Sequence, residues 1–197
     1  MKDFCFRKSF LIYLKSMVND YSAELNIAKQ LALSANNVAV GHLKTQLNFK
    51  TKADSSPVTA ADEEINRMVI ERIRDRFPTD GILGEEESWG DTRNRLWVCD
   101  PIDGTTSFSI GMPTFMFSIA LVENGIPKVC VASNPMSGEM FWAVKDKGAF
   151  RNGDPLHVGA RPLKDAWILY PANLQSLHKN HAFYRVAADS APHRLAW

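Results

Sequence analysis

The sequence predicts an α+β fold, a layered α/β sandwich in which two N-terminal helices pack on a mainly antiparallel sheet. Three observations predict it. Apolar residues recur at helical spacing in two segments before Pro78, strict alternation replaces that period beyond Leu96, and the alternating segments are joined by turns too short for helical crossovers.

Met1 to Val18 places basic residues around the apolar stretch Phe10 to Leu14. That stretch is too short for a secretory signal and no A-x-A cleavage pattern follows, so an amphipathic leading helix of a soluble protein is expected. From Asp20 to Val40, Leu25, Ala28, Leu31, Ala32, Ala35 and Ala39 make one helical stripe with no interrupting proline. Asn48 to Val58 reads as an extended turn segment. A second helix is expected from Thr59, with Ile65, Met68, Val69, Ile73 and Phe77 along one face. Thr59 and Asp62 match a capping box with Asp in place of Glu, and Pro78 ends the helix.

Leu96 to Cys99 then reads as a short buried strand, and Phe115, Phe117, Ile119 and Leu121 alternate with Met116, Ser118, Ala120 and Val122. Strands at Ile126 to Ala132 and Glu139 to Lys145 follow through Glu123-Asn124-Gly125 and Pro135-Met136-Ser137-Gly138, with one more hairpin at Asn152-Gly153. Ser88 to Arg95 is expected to be a surface loop with Trp89 stranded in it. Beyond Val158 the pattern fades, and Trp167 to Tyr170 is the last candidate strand. The expected organisation is a leading segment 1–19, an α+β domain 20–158, and the start of an incomplete second α/β domain 159–197.

The chain has 197 residues, 45% of them hydrophobic, enough for a sizeable core. Its 23 basic and 22 acidic residues leave a net charge of +1, which offers no electrostatic footprint for nucleic acid or an anionic membrane. No apolar run approaches the roughly 18 residues of a membrane-spanning helix. Cys5, Cys99 and Cys130 form neither a disulfide framework nor zinc-type spacing. A reducing cytoplasm is the expected setting.

Three acidic clusters lie where turns or strand ends are expected: Asp62, Glu85-Glu86-Glu87, and Asp100 with Asp103. The apolar run Leu96-Trp97-Val98-Cys99 delivers Asp100 to the end of a buried strand. Carboxylates gathered there repel one another unless a cation compensates them, and oxygen ligands of this kind select magnesium, manganese or calcium over zinc. In Asp103-Gly104-Thr105-Thr106, glycine allows a ligand to approach the backbone, and a helix starting near Thr106 would offer free N–H groups to a phosphate. The D-x-D-G-T signature of phosphatases that form an aspartyl-phosphate is similar, but here the two aspartates are three apart, which changes the faces they occupy in an extended chain. Asp62 also has a plain role as helix cap. Glu86 and Glu87 read as solvated neighbours of the site, and His178 and His181 as incidental surface residues.

Ser56-Pro57-Val58-Thr59-Ala60-Ala61-Asp62, Ile82-Leu83-Gly84-Glu85-Glu86, Trp97 through Phe108, and Lys147 through Gly153 occur in an order that resembles the inositol monophosphatase family, within the lithium-sensitive phosphatase superfamily. The resemblance covers about Asp20 to Leu169. It implies that Glu85 and Asp100 bind one magnesium ion with the carbonyl of Ile102, and that Asp100 and Asp103 hold a second. Glu85 would help position the attacking water, Thr105 oriented by Asp62 would help activate it, and the Gly104 and Thr105 amides would receive the phosphate. No covalent phosphoenzyme is implied.

The family pattern includes a W-D-x-x-A segment whose aspartate completes the second metal site. No such segment occurs in this sequence, and Ala188-Asp189-Ser190-Ala191 does not match it. The implied function is magnesium-dependent, lithium-inhibited hydrolysis of a small phosphate monoester. The alternatives are bisphosphate-nucleotidase or histidinol-phosphatase specificity, and a non-catalytic cation-binding remnant. The implied partners are a small phosphorylated metabolite and, through strands left uncovered, a second copy in a homodimer, with neither nucleic acid nor membrane.

Overall fold

The computed structural model describes residues 20–44, 49–51, 57–91, 94–160, 168–169 and 185–186. The expected leading helix, His178, His181 and Asp189 lie outside the described residues.

Helix α1 (Ser22–Leu43) buries Ala28, Leu31, Ala32, Ala35 and Ala39, the stripe expected from the sequence. Leu25 is only partly buried against the core, while its neighbour Glu24 is buried, because Glu24 pairs with Arg95 at 2.6 Å. Helix α2 (Ala60–Arg76) starts at a complete capping box formed by Thr59 and Asp62. It stops at the residue before Phe77-Pro78, where a proline disfavours helical geometry in its predecessor.

The strands are β1 (Phe49–Thr51), β2 (Pro57–Thr59), β3 (Gly81–Gly84), β4 (Ser88–Trp89), β5 (Arg95–Asp103), β6 (Met116–Glu123), β7 (Ile126–Asn134), β8 (Glu139–Val144), β9 (Gly148–Arg151), β10 (Asp154–Leu156), β11 (Ile168–Leu169) and β12 (Arg185–Val186). A short helix α3 (Thr105–Ser109) follows β5. Strands β1 and β2 form a small antiparallel ribbon within the segment expected to be an extended turn. Eight strands form the main sheet in the order β10-β9-β8-β7-β6-β5-β3-β4, with every neighbouring pair antiparallel except β3 with β5. Strands β11 and β12 make a separate parallel pair. Between β6 and β7, Asn124 and Gly125 both adopt positive φ, 51° and 76°, the pairing that a two-residue hairpin requires to match strand twist.

The segment expected to be a loop differs. Ser88 and Trp89 form the edge strand β4, and Trp89 is partly buried against the core with the Arg74 guanidinium 4.6 Å from its ring centroid. A large apolar ring beside an open strand edge gains by packing, and the polarity of its neighbours hides that pull in the sequence.

Cross-strand register sorts the sheet into two faces. One carries the row Trp97, Leu121, Val129 and the row Cys99, Ile119, Val131, Trp142, and α1 and α2 pack on it. Trp97 is fully buried, stacks on Phe77 with ring centroids 5.6 Å apart, and donates its indole N–H to Asp80 at 2.8 Å. Each such side chain contributes about 1.5–3 kcal/mol of transfer free energy. The opposite face carries Val98, Ala120, Cys130 and Ala143, then Asp100, Ser118, Ala132 and Phe141. It is half-exposed and forms a groove of about 530 Å³. No helix among the described residues is long and apolar enough to cross a membrane.

One cation ties the amino-terminal end of β5 to its surroundings. Arg95 donates through Nε to both oxygens of Asp80, at 2.9 and 2.8 Å, through Nη2 to Glu24 at 2.6 Å, and through Nη1 to Glu123. Tyr21 closes the network by donating its hydroxyl to Glu123 at 2.7 Å. This clamp joins α1, the α2–β3 connection, β5 and the end of β6, and so fixes the register of the strand that leads to Asp100.

Candidate active site

Strands β3 and β5 run parallel, with Gly84 opposite Cys99 at the last paired position. Glu85 and Asp100 follow directly, side by side where the parallel pairing of the two strands ends. The Glu85 amide donates to the Cys99 carbonyl at 3.2 Å, which holds the acidic turn to the sheet.

A β-bulge settles how two aspartates three apart act together. Asp100 pairs with Ser118 and Asp103 with Met116, so three steps along β5 oppose two along β6. The extra residue at Pro101-Ile102 breaks the alternation and returns Asp103 to the side of Asp100. Their proximity registers in the titration of Asp100, which is pushed up from its ordinary value of 3.8 to about 8. Burial is the largest cause, followed by the charges of Glu85 and Asp103, a side-chain hydrogen bond with Glu85, and the charge of Asp62. Asp100 Oδ1 is buried and accepts no hydrogen bond.

Asp62 enters from α2. Burial lifts it to about 6, against the lowering effect of two hydrogen bonds from Thr59, and Glu86 and Glu85 add repulsion. Its Oδ2 takes both Thr59 bonds and its Oδ1 is buried without a partner. Burial and the charges of Asp100 and Glu85 hold the Cys99 thiol well above its usual range, so it is no nucleophile.

After Asp103 the chain turns at Gly104, with φ 95° and ψ 39°. A side chain there would be strained and would stand 2.9 Å from the Thr114 carbonyl oxygen, so only glycine fits. Helix α3 starts at Thr105, one residue before the expected position, and packs against β2. The Thr105 hydroxyl donates to the Ile102 carbonyl at 3.0 Å. The Thr105 hydroxyl is thus turned to the Ile102 carbonyl and not to Asp62, the partner expected from the resemblance, whose Oδ1 is left without a hydrogen bond.

Asp62, Glu85, Asp100 and Asp103 are thus gathered as electrostatic neighbours, with Gly104 and Thr105 continuing the same turn. Among the described residues, no three acidic, His or Cys side chains stand in a closed ligand arrangement. The donor chemistry nevertheless fits a hard divalent cation. Every donor is an oxygen, Oδ1 of Asp62 and Oδ1 of Asp100 are buried without partners, and the mutual repulsion that raises Asp100 is what a cation relieves.

Asn66 was missed in the sequence. It is buried on α2, and its Nδ2 donates to the Glu87 carbonyl at 3.1 Å. Its signal was spacing alone, since four residues beyond Asp62 puts it on the same helix face.

Buried Asp62, half-buried Asp100 and Asp103 and exposed Glu85, gathered beside a glycine turn at one end of an α+β sandwich, make an acidic site whose donors fit a hard cation. Comparison with known proteins narrows it: the profile of the inositol monophosphatase family matches residues 20–193, and the chain belongs to that family. Over 139 residues it is 37% identical to a histidinol-phosphatase of Chlorobaculum parvum, covering 70% of this chain and 54% of that one. Over 150 residues it is 35% identical to inositol monophosphatase 1 of Homo sapiens, covering 72% and 53%. The crystal structure of the extragenic suppressor protein SuhB from Bartonella henselae superposes with a TM-score of 0.78 at 28% identity, covering 89% of this chain and 74% of that one. The chain spans about half the length of the curated relatives it matches. These likenesses agree with the layered α+β sandwich expected from the sequence.

Proposed function

We propose that this chain carries the cation- and phosphate-binding part of a magnesium-dependent phosphatase acting on a small phosphorylated metabolite. The observation that carries the reading is Asp100, a carboxylate brought by a buried strand to a place where burial, Glu85 and Asp103 all disfavour its charge. Such an arrangement costs stability and is kept where a cation or a reaction uses it.

In this reading Asp100, Glu85 and the Ile102 carbonyl hold one cation, and Asp100 with Asp103 a second. Bound divalent cations supply Lewis acidity that polarises phosphoryl oxygens and acidifies water. The Gly104 and Thr105 amides receive the phosphate. Glu85 orients the attacking water, and Asp62, with a free buried oxygen, is placed to accept a proton. Thr105 takes part after its hydroxyl leaves the Ile102 carbonyl for Asp62 or for the water. All ligands are oxygen, which favours magnesium over zinc.

The test is phosphate release from inositol 1-phosphate, histidinol phosphate and a nucleoside 3′,5′-bisphosphate, with magnesium, with chelator and with added lithium. Release that requires magnesium, falls with lithium and disappears in Asp100→Asn supports the reading. Release indifferent to chelator sinks it.

A second reading, cation binding without hydrolysis, is motivated by the lack in this sequence of the W-D-x-x-A aspartate that completes the second metal site in the family pattern. Manganese binding with no turnover of any of the three substrates would select it.

A further inference from the structure

We infer that Asn66 is a positioning residue for the acidic turn, holding Glu85 in place for cation binding from the helix side. The inference rests on the cation-site reading above and adds to it a residue that touches neither substrate nor cation.

Four observations converge on Asn66. It stands one helical turn beyond Asp62, so both face the 84–87 turn. It is 2% exposed, so its side-chain N–H groups can find partners only inside the fold. Its Nδ2 donates to the Glu87 carbonyl at 3.1 Å, across 21 residues of chain. Its Oδ1 is buried without a partner and lies against Gly84, where an added methyl would come closer than 3.0 Å to both that oxygen and the Glu87 carbonyl oxygen.

Gly84 adopts no positive φ, so the requirement there is for space and not for backbone freedom. The helix presses its amide into the gap that glycine leaves. Glu85 and Glu86 are therefore bracketed on one side by Gly84 under Asn66 and on the other by the Glu87 carbonyl that Asn66 holds. The opposite side of the turn is fixed by the Glu85 amide on the Cys99 carbonyl. A turn pinned to both the sheet and the helix presents its carboxylates at one separation from Asp100, and groups of this supporting kind are worth about 10- to 100-fold in metal affinity.

The test is direct titration of the 197-residue chain with Mn²⁺ alone, following the free ion by electron paramagnetic resonance. Asn66→Ala and Asn66→Asp are each expected to weaken Mn²⁺ binding about 10-fold or more while keeping a native circular dichroism spectrum. Ile73→Val, which loosens the same helix away from the turn, is expected to lower thermal stability without changing Mn²⁺ affinity. Unchanged affinity in a folded Asn66→Ala protein overturns the assignment, as does an equal loss in Ile73→Val. Should both Asn66 variants fail to fold, the parent protein decides. Its Asn66 side-chain amide resonance should shift with added Mg²⁺ in step with the Gly84 backbone amide, and a resonance that stays still overturns the assignment. A parent chain that binds no Mn²⁺ removes the cation-site reading and this inference together. Binding lost in Asp100→Asn but retained in Asn66→Ala removes this inference alone.

Discussion

Asp62 is tied to Thr59 through a single oxygen, which accepts from the Thr59 amide at 2.8 Å and from its hydroxyl at 2.6 Å, and its other oxygen is buried with no partner. One carboxylate thereby caps α2 and contributes charge to the acidic site. Replacing Thr59 by Ala should cost about 1–2 kcal/mol through loss of the cap, measured by urea unfolding. The same change removes the hydroxyl bond, the larger of the two Thr59 bonds that lower the Asp62 pKa, and leaves the backbone one, so Asp62 should titrate above its parent value of about 6 when followed by carboxyl NMR.

The pH dependence of stability follows from Asp62 and Asp100 together. Both carboxyls have folded-state pKa values raised above 3.8, to about 6 and about 8, so the folded chain binds protons more tightly than the unfolded chain. Their contribution is fully favourable below pH 4 and is lost as pH rises through 6 and then 8. In chelator, the part of the melting temperature set by these two groups should fall between pH 4 and pH 8, and magnesium should restore it at the alkaline end. Thermal melts across that range, with and without magnesium, measure the effect. No restoration by magnesium would count against the cation site.

Asp100→Asn should separate stability from activity. The amide keeps the shape of the side chain and removes a buried charge facing Glu85 and Asp103, so the melting temperature in chelator at pH 8 should rise. Magnesium-dependent phosphate release should fall by about 100-fold or more, because the charge that gathers cations is gone. A variant both less stable and equally active would contradict the assignment.

Arg95→Ala should be among the most damaging charge changes in the chain. It leaves Glu24, Asp80 and Glu123 facing one another without their shared cation, two of them buried. Stranding buried charges costs about 3–5 kcal/mol. Chemical unfolding measures the loss. Arg95→Lys should recover only part of it, since one ammonium cannot reproduce the forked contacts.

Much of the fold was legible because its signals are local. The α1 alanine stripe, the Thr59–Asp62 cap, the Asn124-Gly125 turn and the alternation along β6 each need only a few neighbouring residues to declare themselves. The acidic candidates were legible too, since charge at the end of an apolar strand is anomalous wherever it is read. The strand status of Ser88-Trp89 was hidden, because a two-residue edge strand has no period and depends on β3 beside it. Asn66 was hidden because an asparagine on a helix face has no meaning until Gly84 and Glu87 are opposite it.

By itself the sequence determined the two long helices, most strands of the main sheet and which carboxylates are candidates, because propensity, capping and periodicity act over one or two turns of chain. Only the tertiary structure decided that Asp100 and Asp103 share a side, through the bulge between β5 and β6, and that Glu85 stands beside them, through the parallel pairing of β3 with β5. Those relations depend on register between strands distant in sequence. Register is set by the summed packing of whole faces, which no short stretch of residues contains.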